Sequence, residues 1–74
     1  MDDDTLKARL GSAIRERRTS LDYSQESFAD SIGMHRAYYS SIERGERNLT
    51  LTTLRRVAEG LGWSLVELMK SARL

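Results

Sequence analysis

The sequence predicts an all-α fold of five short helices, and three observations predict it. Apolar residues recur three and four positions apart in successive stretches, the spacing that places side chains on one helix face. Proline is absent from the 74 residues, which leaves the turns to glycine and to polar caps. Ser24, Thr50 and Ser64 each precede such a stretch, where a side-chain oxygen satisfies free amides, and Gly33, Gly45 and Gly62 each follow one. No internal repeat is visible, and residues 1–74 read as one small domain.

The first helix runs from about Thr5 to Ser20, with Leu6, Leu10, Ala13 and Ile14 as its inward face. Asp2, Asp3 and Asp4 favour the positive end of its dipole, and Gly11 weakens it. Arg17 lies one turn beyond Ile14, so its stem is expected on the core with the head reaching out. The chain turns at Leu21-Asp22-Tyr23, where aspartate tolerates a left-handed backbone and Tyr23 is placed to pack beside Phe28.

Ser24 caps a second helix of about two turns, whose Phe28, Ala29 and Ile32 share a face. Gly33 then reverses the chain, and His35 caps a third helix at once. Tyr39 and Ile42 point inward there, while Arg36, Ala37, Ser40, Ser41 and Arg44 point the other way and Gly45 closes the helix. An outer face of small polar residues and arginines is suited to touching something polar.

Thr50 caps a fourth helix to about Leu61, in which Leu51, Leu54, Val57, Ala58 and Leu61 form the core stripe and Arg55 and Arg56 face water. Ser64 and Glu67 make a capping box for a fifth, through Met69 or Ser71, with Leu65 and Leu68 inward. Trp63, Val66, Met69 and Leu74 are left without an inward place. Together they are expected to form an apolar patch of the kind that marks an interface between two copies.

Composition narrows the function. Without cysteine there is neither a disulfide nor a thiolate metal site, and one histidine cannot furnish a zinc set. No nucleophile or second acid stands at a catalytic spacing from His35, so no enzymatic activity, cofactor or small-molecule ligand is expected. No apolar run approaches the roughly 20 residues of a membrane span, and the acidic start is unlike a signal peptide, so a cytoplasmic protein is expected. The formal charge of +1 hides an uneven distribution. From Lys7 to Arg18 five positive residues stand against Glu16 alone, and Arg36, Arg44 and Arg47 cluster near the third helix. A core of this size supplies only roughly 3 to 5 kcal/mol, which favours dimerisation.

The pattern of Gln25, Ala29, Gly33, Tyr39 and the ending Ile42-Glu43-Arg44-Gly45 resembles the helix-turn-helix of Cro/CI-type transcriptional regulators, also called lambda repressor-like or XRE-type. Arg18 upstream and the run from Asn48 to Leu54 extend the resemblance over nearly the whole chain. It implies a compact five-helix DNA-binding domain with the motif at about residues 24–45. The second motif helix would enter the major groove and offer Arg36, Ala37, Ser40 and Ser41 to base edges. Gln25, Arg44, Arg47 and Asn48 would meet backbone phosphates, joined by Tyr38 at the edge of the motif. Arg18 would pair with Glu43. Arg17, Asp22, Tyr23 and His35 depart from the family's usual leucine, glycine, leucine and serine or threonine.

The resemblance implies a transcriptional regulator acting on double-stranded DNA, as a homodimer on a near-palindromic operator. The short chain is similar to restriction-modification controller proteins and small Cro-like repressors. Two other classes remain open on sequence alone: the antitoxin of a toxin-antitoxin pair, and a helical adaptor that does not bind DNA.

Overall fold

The computed structural model describes residues 1–74 and contains five helices: α1 (Asp3–Ser20), α2 (Gln25–Ser31), α3 (Arg36–Glu43), α4 (Leu51–Gly60) and α5 (Leu65–Ser71). Each begins where a side chain can accept from a free amide. Asp2, Ser24, Thr50 and Ser64 accept from the amide three residues on, and His35 from that of Ala37. Capping boxes form at Ser24 with Ser27 and at Ser64 with Glu67. The cap on α3 is the weakest, because the imidazole Nδ1 accepts at 3.3 Å.

All five helices end alike. A residue in the left-handed region follows the last turn (Asp22, Gly33, Gly45, Gly62 and Arg73), and the next amide reaches back five residues to a carbonyl of that turn. Asp22, with φ of 63°, takes the conformation its side chain makes tolerable, as the sequence suggested.

α1 packs across α3 and α5, α2 against α3, and α4 against α5. The core holds Leu10, Ala13, Ile14, Phe28, Ala29, Met34, Tyr39, Ile42, Leu54, Val57, Ala58, Leu61, Leu68 and Ala72. Tyr23 meets Phe28 edge to face with ring centroids 5.5 Å apart. No buried side-chain nitrogen or oxygen lacks a hydrogen-bond partner.

Two leucines expected inside are not. Leu6 lies at the surface on the first turn of α1, and Leu51, the first residue of α4, is 73% exposed because the core begins one turn later at Leu54. Gly11, read as a weakness of α1, has a packing reason. A Cβ there would stand 2.5 Å from the carbonyl oxygen of Glu43, so only glycine lets α1 cross the end of α3 this closely.

Candidate nucleic-acid interface

α2 and α3 are too short to bury a core between them, and the structure fixes them from below. Glu43, the last residue of α3, is the hub. Its side chain is 2% exposed and accepts from Arg18 Nε at 2.6 Å, Arg18 Nη2 at 3.1 Å, Gln25 Nε2 at 2.8 Å and the Tyr39 hydroxyl. Arg18 also donates to the Tyr23 carbonyl at 2.7 Å. α1, the start of α2 and the end of α3 thus converge on one carboxylate, and Arg18 ties the turn before α2 to them. Burial alone would raise the Glu43 carboxyl, but hydrogen bonds from Arg18, Tyr39 and Gln25 outweigh it and hold the group below the ordinary glutamate value. Burial also pushes the Tyr39 phenol up, and the bond to Glu43 adds to it, so the hydroxyl stays a donor.

On the outer side, Gln25, His35, Arg36, Ala37, Ser40 and Arg44 line one shallow, open groove. The start of α2 and the exposed face of α3 are therefore one continuous polar surface. Arg36 and Arg44 are solvent-exposed there, Arg36 within 3.4 Å of Glu26 and Arg44 within 3.1 Å of Glu46. Arg44 also donates to Ser40 Oγ at 2.7 Å. Exposed ion pairs of this kind are weak, so a stronger anionic partner displaces them at small cost.

Ser41 departs from its expected place on that surface. It is 3% exposed, its hydroxyl donates to the Tyr38 carbonyl at 2.6 Å and accepts from Arg47 Nε at 2.8 Å, and it cannot reach a base edge. The physical reason lies in the loop after α3, which folds Arg47 back over this flank. The Arg47 guanidinium sits 5.0 Å from the Tyr38 ring centroid. Tyr38 is half-buried against the core, while Arg47 and Asn48 stay exposed beside it. On the outer face of α3, Arg36 and Ala37 are exposed and Ser40 is half-buried.

The apolar patch expected from Trp63, Val66, Met69 and Leu74 is only partly present. Trp63 and Met69 pack against the core, and the Arg17 guanidinium lies 4.9 Å from the Trp63 ring centroid while its Nε donates to the Leu61 carbonyl at 3.0 Å. Val66 is 62% exposed and Leu74 is exposed as well. Leu51 and half-buried Leu65 line a shallow depression with Thr52 and Arg55, adding apolar surface that sequence reasoning had placed inside. Spacing alone could have raised one missed contact: Tyr39 and Glu43 are four apart and share a helix face. Nothing in the sequence signalled that Gln25 would join them.

No group of three or more histidine, cysteine, aspartate or glutamate side chains is placed to hold a metal ion, and no helix is long and apolar enough to cross a membrane.

Residues 14–68 match the helix-turn-helix family model HTH_3. The chain is 47% identical over 64 residues to control protein C.MunI from a Mycoplasma species, covering 85% of this chain and 86% of that one. It resembles the crystal structure of the restriction-modification controller protein C.AhdI from Aeromonas hydrophila with a TM-score of 0.78 at 36% identity, over 82% of this chain and 92% of the other. It also resembles the controller protein C.Esp1396I, solved as a tetramer with its natural 35 base-pair operator, with a TM-score of 0.79 at 32% identity, over 93% and 96% of the two chains. By sequence and by fold alike, the chain belongs to the helix-turn-helix family of regulators in which the restriction-modification control proteins are found.

Proposed function

We propose that this protein is a sequence-specific, double-stranded DNA-binding transcriptional regulator of the controller type, working in the cytoplasm as a two-fold dimer on a near-palindromic operator. The observation that carries it is the single groove joining the start of α2 to the outer face of α3, lined by Arg36, Ala37 and Ser40. Arginine donates two hydrogen bonds to guanine, serine pairs with either kind of base edge and alanine packs on a thymine methyl. Gln25, Arg44, Arg47, Asn48 and the Tyr38 hydroxyl lie around these residues as phosphate or sugar contacts, fixing register without reading sequence. The likeness to a controller solved on its operator supports the same reading.

Leu51 and Leu65, which share one shallow depression, and the exposed Val66 and Leu74 are the apolar side chains we assign to the docking of a second copy. Two copies so joined hold their reading helices about 34 to 36 Å apart, one turn of duplex. The experiment is to sequence the genomic fragments that the purified protein retains. An enriched inverted repeat with half-sites about ten base pairs apart supports the reading. Fragments drawn evenly from the genome overturn it.

A further inference from the structure

One face of α4 holds the turn on which the groove is built. Two carbonyls at that turn, those of Ile32 and Gly33, receive no backbone amide. Both accept from Arg56, whose Nε lies 2.7 Å from the Ile32 oxygen and Nη2 2.5 Å from that of Gly33. Four residues further along the same face, Gly60 packs beneath the Ile32 side chain and the Phe28 ring so closely that a Cβ would collide with Ile32. Ile32 is therefore gripped twice by α4, through its carbonyl by Arg56 and through its side chain at Gly60.

The grip falls where α2 ends and α3 is about to begin. A guanidinium at the negative end of the α2 dipole makes charge-assisted bonds, and its planar fork fixes direction as well as distance. The cap on α3 cannot do this work, because His35 accepts only at 3.3 Å. Glu43 locks the far end of α3 and Arg56 locks the near end, the one that carries Arg36 and Ala37. Base reading depends on side chains held within about 0.5 Å of their productive geometry.

We propose that Arg56 is a positioning residue of the reading head: it sets the entry angle of α3 through the α2–α3 turn and determines how sharply the protein discriminates its operator, without touching DNA. The inference rests on the DNA-reading function proposed above.

The test is Arg56→Gln and Arg56→Lys, with affinities for the retained operator and for a scrambled duplex measured across salt, alongside thermal midpoints. Arg56→Gln is expected to lower the operator-to-scrambled ratio about tenfold, the size of one misplaced bidentate contact, with the slope of log affinity against log salt unchanged. Arg56→Lys, a point charge without the fork, is expected to restore part of that ratio. A slope reduced by about one unit would make Arg56 a phosphate contact and overturn the proposal. A lowered midpoint with an intact ratio would make it merely structural, and overturn it too. A wild type that prefers no duplex would sink the underlying DNA reading, an outcome distinct from both.

Discussion

Gln25 and Arg18 grip the same carboxylate of Glu43 from two different helices, the amide at 2.8 Å from Oε1 and the guanidinium at 2.6 Å from Oε2. A residue at the groove's rim is thereby tied to one in its foundations. Removing the shared partner leaves a nearly buried arginine uncompensated, so Glu43→Ala is expected to cost about 3 kcal/mol. Thermal melts of Arg18→Ala, Glu43→Ala and the double variant check it: the double loss should be well short of the sum, and simple additivity would mean that the pair does not couple.

The same carboxylate makes stability depend on pH. Because Glu43 titrates lower in the folded chain than in the unfolded one, its contribution is fully present above the ordinary glutamate range, about pH 4.3, and is lost as pH falls through the folded value. The Tm gap between wild type and Glu43→Gln should therefore be widest near neutrality and shrink on acidification. A gap that stays constant down to about pH 3 would remove Glu43 as its source.

Gly11→Ala would stabilise an open helix by roughly 0.5 to 1 kcal/mol. Here the added methyl meets the Glu43 and Ile42 carbonyls, and the expected sign is reversed, a loss of about 1 to 3 kcal/mol as α1 and α3 move apart. Urea denaturation reads the sign directly.

Arg36 and Arg47 should differ in kind. Arg36→Ala is expected to remove about 1 to 3 kcal/mol of discrimination between operator and scrambled duplex. Arg47→Ala should weaken both duplexes alike and lower the salt slope by about one unit. Matched-salt titrations separate the two, and an unchanged ratio for Arg36→Ala would exclude it as a base reader.

For the dimer, charge is best introduced at the most exposed apolar positions. In the proposed dimer, Leu51→Glu with Val66→Glu would set like charges against one another, and sedimentation should show monomers whose helical signal is retained. Met69 is a poor choice for this test, since it packs against the core and its substitution would unfold as well as separate. A double variant that still sediments as a dimer would move the interface elsewhere.

Most of the fold was legible because each helix carries its own start and stop: Ser24, Thr50 and Ser64 before, and Gly33, Gly45 and Gly62 after. Periodicity also found Phe28, Tyr39, Ile42 and Val57, which lie deep in the core. It failed at helix starts, where Leu6 in the first turn of α1 and Leu51 at the first position of α4 fit the stripe but stay exposed. Helical spacing turned Arg36, Ala37, Ser40 and Arg44 outward, and they line the groove, whereas Gln25 was singled out by the resemblance alone. Ser41 was not legible in this way, because what covers it is a loop arginine six residues away, and Arg56 was not, because its partners lie more than twenty residues back. Periodicity reports which way a side chain points on its own helix and nothing about what later folds over it.

The chain's one tryptophan stands beneath the Arg17 guanidinium at the seam between α1 and the α4–α5 turn, remote in sequence from every groove residue. Its emission is a built-in optical gauge of that seam. A half-buried indole beside a fixed cation changes brightness and colour when the cation leaves or water enters, so intrinsic fluorescence follows the detachment of α5 and the opening of the carboxyl-terminal half.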